Sequence, residues 1–338
     1  MTKDSILKDI GEPELIRIIE KLVFEKSGKE VIRDDSFFYS VENLNSNNQI
    51  VFNSDMLVST TDVPDQMNYY QIGRKSVLMN ISDLIVKGVI PRGIIVSLGL
   101  PDEIKLKDFK DLINGIIDYC IKWKLDYIGG DLNVTKEIII NPTVFGFEDP
   151  SKIIHRTGLK VGDYLVINKK FGLTGVGFDI LLNKGGILSD FPSYKKSIKS
   201  VLEIEDLDQE ASILARNKFA TASIDSSDGL AKSLSDLMLS NLKIGFEIEF
   251  NDNLIDIEAM KYSKEYNVSL EKLIFDAGEE FIHIFTIDPK NYKAALNITQ
   301  DQGGQLFKVG KVISEEKIYI LKNNEKVELK TRGFEHFT

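Results

Sequence analysis

The chain has 338 residues and a formal net charge of −10, because 52 Asp and Glu residues outnumber 42 Lys and Arg residues. This acidic balance disfavours binding to nucleic acid or to an anionic membrane surface. The single cysteine, Cys120, excludes an internal disulfide and a cysteine-based zinc site. Hydrophobic residues make up 43% of the sequence, and no apolar run approaches the roughly 20 residues needed to cross a bilayer. We therefore expect a soluble cytoplasmic protein, long enough for two domains.

The first half of the chain predicts alternating helices and strands. Apolar residues at helical spacing predict the helices, and short apolar runs predict the strands. In order, the predicted elements are helix 14–25, strand 49–58, helix 69–87, strand 94–100, helix 106–123 and strand 138–147. This alternation is typical of an α/β domain. We expect that domain to span residues 1–148.

A second α/β domain is predicted for residues 149–338, after a hinge at Glu148-Asp149-Pro150. A strand at 164–167 leads into a glycine-rich turn and a helix at 175–182, and the polar stretch 183–200 is interpreted as a loop. Helices near 208–219 and 230–242 are then followed by strands near 245–250 and 281–287.

Acidic residues recur beside segments that are predicted to be buried, where a lone carboxylate would be costly to desolvate. Carboxylates gathered in such places usually share cations. No cluster of His or Cys accompanies them, so the expected cations are hard, oxygen-loving ions such as Mg²⁺, which indicates chemistry on phosphate groups. These acids are Asp34, Asp35, Asp55, Asp62, Asp83, Asp131, Asp225 and Asp228.

Each motif also has a simpler interpretation. Asp83 could be a surface acid on its helix, and Gly-Gly-Asp at 129–131 is interpreted as opening a turn, which is also common without a ligand. The acid-Ser-Ser-acid run at 225–228 could cap the next helix. Arg156 could grip a phosphate or pair with a surface acid, and the glycines at 172–177 could serve tight packing. Neither a GxxxxGK[ST] loop nor a kinase HRD/DFG pair is present.

The combination of motifs is more informative than any one of them. In order and spacing, the chain resembles thiamine-monophosphate kinase, a family in the superfamily of aminoimidazole ribonucleotide synthetase and selenophosphate synthetase. The blocks that carry the resemblance are Asp34-Asp35, Ser54-Asp55-Met56-Leu57-Val58, Asn80-Ile81-Ser82-Asp83-Leu84, Gly129-Gly130-Asp131, Arg156-Thr157-Gly158 with Gly162-Asp163, Ile224-Asp225-Ser226-Ser227-Asp228-Gly229-Leu230, Gly278-Glu279-Glu280-Phe281 and Gly333-Phe334-Glu335-His336-Phe337. They span nearly the whole chain.

The resemblance implies the two-domain α/β architecture of that superfamily. N-terminal domains would pair through a shared β-barrel in a homodimer, and ATP with several Mg²⁺ ions would lie in the cleft between the domains. Whether a monovalent cation assists is left open. By position, the metal-binding set would be Asp35, Asn53, Ser54, Asp55, Asp83, Asp131, Asp225 and Asp228. Contacts to ATP would come from Gly130, Asp131, Arg156 and Ser227, and contacts to thiamine monophosphate from Asp62, Glu279 and Phe334.

The implied reaction is direct in-line transfer of the γ-phosphoryl group from ATP to thiamine monophosphate, without a phospho-enzyme. The acceptor is already an oxyanion and needs little general-base help. The catalytic residues implied are Asp83, Asp131, Asp228 and Arg156, of which Arg156 adds fixed positive charge to the phosphates.

Some positions depart from the family pattern. Arg33 and Ser36 flank the first acidic pair, Asp62 stands where His is frequent, Leu132 replaces a frequent Thr, and Glu280 replaces a frequent Asp. Three rival functions stay open at this point: another ATP-using enzyme of the superfamily similar to aminoimidazole ribonucleotide synthetase, a non-catalytic paralogue that binds thiamine phosphates or ATP, and a metal-dependent phosphatase.

Overall fold

The computed structural model describes residues 5–10, 12–30, 47–204, 207, 209–322 and 325–330. The chain divides into two compact units. The first unit comprises Met1–Leu84 and Val89–Pro150, and the second comprises Ile85–Gly88 and Ser151–Thr338. The domain boundary between residues 148 and 149 stays a prediction. Among the described residues, no helix has both the length and the apolar character required to traverse a membrane.

The first unit combines a mixed sheet with helices. Among the described residues its strands run in the order β1-β5-β3-β4, with β2 also paired to β5, and only the β3–β4 pair is parallel. The helices are α1 (Leu7–Ile10), α2 (Glu12–Ser27), α3 (Ser59–Asp62), α4 (Tyr69–Ile85) and α5 (Leu106–Lys122). The strands are β1 (Gln49–Asn53), β2 (Leu57–Val58), β3 (Pro91–Leu100), β4 (Asp126–Val134) and β5 (Ile139–Glu148).

Helix α4 is fixed in the first unit by its apolar residues. Val77, Leu78, Ile81 and Leu84 recur at intervals of three or four residues and are almost fully buried. Asp83 lies outside this apolar set and is only half-buried. The packing of the helix therefore sets the position of the Asp83 carboxylate.

In the described part of the second unit, seven strands form a sheet in the order β12-β11-β8-β10-β6-β9-β7, in which only β8 and β11 pair in parallel. The helices are α6 (Leu173–Phe178), α7 (Lys195–Leu202), α8 (Glu210–Arg216), α9 (Leu230–Ser240), α10 (Ile257–Tyr266), α11 (Leu270–Phe275) and α12 (Pro289–Asp301). The strands are β6 (Tyr164–Ile167), β7 (Ala220–Ser226), β8 (Gly245–Glu249), β9 (Ile282–Ile287), β10 (Phe307–Ile313), β11 (Ile318–Lys322) and β12 (Glu325–Glu328).

Strand β9 shows that this sheet is covered on both faces. All six of its residues are buried. Ile282 and Ile284 belong to the larger apolar core of the unit, whereas Phe285 and Ile287 belong to a smaller one. Successive side chains of a strand point to opposite faces, so the two cores lie on opposite sides of the sheet. The strand ends that carry the candidate residues are thus held on a buried scaffold.

Many predicted elements are confirmed, with ends shifted by a few residues. The predicted helices 14–25, 69–87, 106–123 and 230–242 correspond to α2, α4, α5 and α9, and the predicted strands 94–100, 138–147, 164–167, 245–250 and 281–287 correspond to β3, β5, β6, β8 and β9. The mixed α/β fold class follows from these elements and is confirmed.

Three predictions about elements were wrong. The predicted strand 49–58 is broken into β1 and β2. Gly129-Gly130-Asp131 lies inside β4 and opens no turn, because the backbone of this segment pairs with Ile95–Ser97 of β3. The supposed loop 183–200 contains most of α7, whose Ile198 and Val201 are fully buried although lysines surround them.

Candidate active site

The first group of candidate residues joins the end of β1 to helix α4. The Nδ2 atom of Asn53 donates hydrogen bonds to Oδ2 of Asp83 at 2.9 Å and to Oδ2 of Asp55 at 3.1 Å. One amide thus brings two carboxylates together. Two like charges this close repel each other unless a cation or a donor lies nearby, so the arrangement suits the binding of a hard cation.

A fourth residue of this group, Asn80, belongs to the motif that contains Asp83, but the resemblance implied no role for it. Its Oδ1 accepts a hydrogen bond from the main-chain N–H of Asp55 at 2.7 Å, and its Nδ2 donates to the carbonyl oxygen of Asp55 at 3.0 Å. Asn80 is fully buried. It therefore fixes the backbone that carries the Asp55 carboxylate. The only sequence signal was an asparagine among the apolar residues of a helix.

Ser54 directly follows β1, and Asp131 lies in β4 of the same sheet. Ser54 Oγ donates to the carbonyl oxygen of Pro142 at 3.0 Å, beside β5. Asp131 is exposed on β4, where it pairs with Ser97 of β3. Within the part of the chain that the structure describes, no group of three or more His, Cys, Asp or Glu side chains is arranged as a metal site. The hydrogen bonds bring together Asn53, Asp55 and Asp83, but not Asp131.

Gly130 has a structural reason to be glycine. A Cβ atom at this position would lie 1.8 Å from the carbonyl oxygen of Val96 on β3. Real Cβ atoms do not approach that closely, so the two strands could not keep their spacing with a larger residue. Close packing of β3 and β4 accounts for Gly130 without a phosphate.

Asp62 is held at both its main chain and its side chain. Its Oδ2 accepts a hydrogen bond from the main-chain N–H of Val58 at 2.6 Å, which closes the short turn of α3. Its carbonyl oxygen accepts a hydrogen bond from Nζ of Lys75, a lysine that is only 3% exposed. Lys75 was missed by the sequence reasoning, and a lysine inside a helical pattern gives little signal.

In the second unit, Asp225, Ser227 and Asp228 lie at the end of β7. Asp225 is buried, Asp228 is half-buried and Ser227 is exposed. The following helix, α9, has Gly229 as its N-cap, a residue without a side chain that could make a capping hydrogen bond. The N-cap position is thus occupied by glycine, and the interpretation of the 225–228 run as a helix cap is wrong.

Glu279 lies in a strained loop that is bound to Ser227. Its main-chain N–H donates to the carbonyl oxygen of Ser227 at 2.5 Å, and the N–H of Phe281 donates to Ser226 at 2.9 Å. Glu279 has φ = 60° and Phe281 has φ = 47°, a left-handed conformation that non-glycine residues seldom adopt. Such strain often marks a functional loop. The structure thus brings together the candidate thiamine contact Glu279 and the candidate ATP contact Ser227.

Glu280 joins this loop to the glycine-rich turn before α6. Its Oε1 accepts a hydrogen bond from the N–H of Gly172 at 2.6 Å, and Thr174 Oγ1 donates to the carbonyl oxygen of Gly278 at 2.8 Å. Desolvation raises the pKa of the Glu280 carboxyl to about 8, although hydrogen bonds from Gly172 and Thr174 act against this shift. Glu280 also lines a cavity of about 340 Å³, together with Lys169, Lys170, Lys196 and other residues. The turn therefore supports the loop of Glu279.

Arg156 is exposed on a segment beside β7. The N–H of Ser223 on that strand donates to the carbonyl oxygen of His155 at 3.0 Å. Asn241, which the sequence reasoning missed, fixes the segment: its Nδ2 donates to the carbonyl oxygen of Arg156, and its Oδ1 accepts from the N–H of Gly158. The candidate residues Asp35 and Phe334, like Arg33 and His336, lie outside the described residues.

Comparison with known proteins identifies the family. The chain is 30% identical over 332 residues to a thiamine-monophosphate kinase of Nitrosopumilus maritimus, and the match covers 98% of this chain and 100% of the relative. The chain belongs to the thiamine-monophosphate kinase family. Residues 33–147 match the family model described as AIR synthase related protein, N-terminal domain. The predicted family is thus confirmed.

Solved structures show that the fold is shared more widely. A ThiL protein complexed with AMPPCP and TMP matches with a TM-score of 0.73 at 22% identity, over 99% of this chain and 100% of that one. A hydrogenase maturation protein in complex with ATP matches with a TM-score of 0.76 at 13% identity, over 97% of this chain and 99% of that one. At these low sequence identities, the structural similarity shows that the fold is shared. The shared β-barrel stays a prediction.

Proposed function

We propose that this chain catalyses the ATP-dependent phosphorylation of thiamine monophosphate to thiamine diphosphate. The observation that carries the proposal is the end-to-end relationship with a thiamine-monophosphate kinase. The complex of a protein of the same fold with AMPPCP and TMP supports it, since the fold accommodates a nucleotide analogue together with that ligand. The proposal places the enzyme in thiamine diphosphate biosynthesis in the cytoplasm, where the single unpaired, buried Cys120 fits a reducing compartment.

The side chains around Asn53 fit Mg²⁺. Carboxylate and amide oxygens are the ligands that this hard cation takes, and the Asn53 amide brings the carboxylates of Asp55 and Asp83 together. When bound, Mg²⁺ neutralises charge on the phosphates and so lowers the repulsion between donor and acceptor. The residues proposed as ligands of the several Mg²⁺ ions are Asp35, Asn53, Ser54, Asp55, Asp83 and Asp131 in the first unit, and Asp225 and Asp228 in the second.

The proposed reaction is a single in-line displacement. A phosphate oxygen of thiamine monophosphate attacks the γ-phosphorus of ATP, the new P–O bond forms, and the bond to the β-phosphate oxygen breaks to release ADP. Arg156 supplies fixed positive charge to the phosphates, and Ser227 and Gly130 contact ATP. Glu279, Asp62 and Phe334 orient thiamine monophosphate. The strained loop that ties Glu279 to Ser227 holds both contacts in one rigid segment.

The proposal includes a homodimer formed through the first unit. Ile50 and Phe52 on β1 are 53% and 63% exposed. Phe52 continues an aromatic row with Phe145 and Phe147 of β5, at ring-centroid distances of 6.1 and 5.8 Å. Within the described residues β1 is the end strand of its sheet, and an apolar row on such a strand is suited to covering by a second copy of the chain.

The decisive experiment follows ADP and thiamine diphosphate together after mixing the protein with ATP, thiamine monophosphate and Mg²⁺. Equal amounts of both products support the kinase. ADP and free phosphate without thiamine diphosphate indicate an ATPase of the superfamily with another acceptor. Neither product, despite measurable ATP binding, indicates a non-catalytic binding protein, and phosphate release without nucleotide indicates a phosphatase. Repeating the assay with and without K⁺ tests the need for a monovalent cation.

A further inference from the structure

Asn241, at the end of helix α9, holds the main chain on both sides of Thr157. Its Nδ2 donates to the carbonyl oxygen of Arg156 at 2.8 Å, and its Oδ1 accepts from the N–H of Gly158 at 3.1 Å. The same Nδ2 also donates to the carbonyl oxygen of Leu237, four residues back in the helix, at 2.8 Å. One amide therefore caps the helix and fixes the Arg156 segment to it.

The chain is fixed at one point before Arg156 and at another point after it. The carbonyl oxygen of His155 is bonded to Ser223 of β7, and Leu159 is buried in the larger core. Between these two fixed points the chain is exposed and turns at Gly158, whose φ of +112° suits glycine. The bonds from Asn241 fall within this exposed stretch, so they set the direction in which the Arg156 side chain leaves the backbone.

Helix α9 also begins beside the candidate ATP contact Ser227 and the candidate metal ligand Asp228. Its N-cap, Gly229, follows Ser227 and Asp228 directly, and Ser233 Oγ donates to the carbonyl oxygen of Asp225 at 3.1 Å. The 11 residues of the helix span about 16 Å, and their backbone hydrogen bonds keep that length fixed. Asn241 thus gives Arg156 a fixed position relative to the loop that follows β7.

We propose that Asn241 is a positioning residue for nucleotide binding, which acts by orienting Arg156 and touches no substrate itself. This inference rests on the proposed function, because it takes Arg156 as a contact to ATP. It assigns a role to a residue outside every motif that carried the family resemblance. The amide is required for it, since only a side chain with both a donor and an acceptor can make the two main-chain bonds.

The test compares Asn241→Ala with Asn217→Ala. Asn217 is the C-cap of α8, and its Nδ2 donates to the carbonyl oxygen of Ile213, four residues back, at 2.8 Å. Both substitutions remove the same kind of helix cap, but only the first releases Arg156. We expect Asn241→Ala to weaken binding of AMPPCP with Mg²⁺ by about fivefold or more, and Asn217→Ala to leave it within about twofold. The KM for thiamine monophosphate should change much less than the KM for ATP.

A double-mutant cycle separates positioning from a general loss of structure. If Asn241 acts through Arg156, Asn241→Ala should have almost no further effect on AMPPCP binding in the Arg156→Ala background. Asn241→Asp, which keeps the acceptor for Gly158 and loses the donor to Arg156, should give an intermediate loss. Thermal unfolding of Asn241→Ala and Asn217→Ala should shift by similar amounts.

Three results would overturn the inference: equal loss of nucleotide binding in Asn217→Ala, additive effects of Asn241→Ala and Arg156→Ala, or unchanged binding in Arg156→Ala alone. Binding of AMPPCP is measured without thiamine monophosphate, the proposed phosphate acceptor. The coupling between Asn241 and Arg156 would therefore still be measured if thiamine monophosphate proved not to be phosphorylated. That outcome would refute the proposed function and leave the positioning role supported.

Discussion

Two asparagine side chains hold the backbone of candidate site residues in the same way. Asn80 bonds to both the N–H and the carbonyl oxygen of Asp55, and Asn241 bonds to the carbonyl oxygen of Arg156 and the N–H of Gly158. A side-chain amide offers the same donor and acceptor as a neighbouring strand, so it can fix a segment that lies outside any sheet ladder. In each unit, an asparagine on or directly after a helix orients a charged residue proposed to act on phosphates.

Asp83 is the residue at which the metal assignment is tested most directly. Asp83→Asn removes one charge from the pair of carboxylates joined by Asn53 and leaves the side-chain size almost unchanged. We expect kcat to fall by about 10²-fold or more, because charge stabilisation at the phosphates is lost. Steady-state assays over a range of Mg²⁺ concentrations measure this. Asp65→Asn, at an exposed aspartate of the first unit, is the control and should keep full activity. Near-wild-type turnover in Asp83→Asn would refute the assignment.

The raised pKa of the Glu280 carboxyl predicts how the stability of the protein depends on pH. Desolvation raises the pKa of its carboxyl from the ordinary value of 4.5 to about 8, so the folded protein favours the neutral form. The stability that this group contributes is complete below its ordinary pKa and is lost as pH rises through the folded pKa of about 8. Glu280→Gln stays neutral and keeps an oxygen for the N–H of Gly172. We expect its melting temperature relative to wild type to increase from pH 5 to pH 8.

Thermal unfolding of both proteins at pH 5, 6, 7, 8 and 9 checks this expectation. Glu210→Gln serves as a comparison, because Glu210 is a buried carboxylate of the same cavity whose Oε1 accepts a hydrogen bond from Gln305. Parallel curves for wild type and Glu280→Gln over the whole range would show that Glu280 is ionised in the folded protein.

At the scale of elements, the close parallel pairing of β3 and β4 requires a glycine at position 130. Gly130→Ala would place a Cβ atom 1.8 Å from the carbonyl oxygen of Val96. We expect the free energy of unfolding to fall by about 1–3 kcal/mol, the usual cost of overpacking. Chemical denaturation measures this, and Val134→Ala, at a 68% exposed residue of the same strand, is the control. Unchanged stability with a higher KM for ATP would instead assign Gly130 to the nucleotide alone.

The elements also show what sequence patterns can predict. Helix α4 follows an apolar period of three and four residues, so both the helix and the place of Asp83 on it were predictable. Strand β4 was not predictable, because two glycines and an aspartate interrupt its apolar pattern. Only its pairing with β3 makes it a strand. Helix α7 was not predicted because lysines interrupt its apolar pattern. The bonds of Asn80 and Asn241 depend on contacts between residues 25 and 85 positions apart, which no local pattern contains.

At the scale of the whole molecule, the candidate residues fall into two groups that the sequence order alone had already suggested. Asn53, Asp55 and Asp83 belong to the first unit, whereas Arg156, Asp225, Ser227, Asp228 and Glu279 belong to the second. Each group is held by its own hydrogen bonds and its own sheet. The family resemblance assigned these residues by order and spacing, and the structure supplies the local contacts that keep each group rigid.

Assembly is the remaining property of the whole molecule that can be tested. If a second copy covers the exposed side chains of Ile50 and Phe52, the molar mass measured by light scattering should be twice that of one chain. Phe52→Glu would place a charge in that apolar contact, and we expect it to give monomers because burying an unpaired carboxylate is costly. Val161→Glu, at a 57% exposed residue of the second unit, is the matched control and should stay dimeric. A Phe52→Glu protein that remains dimeric at the same concentration would exclude β1 from the interface.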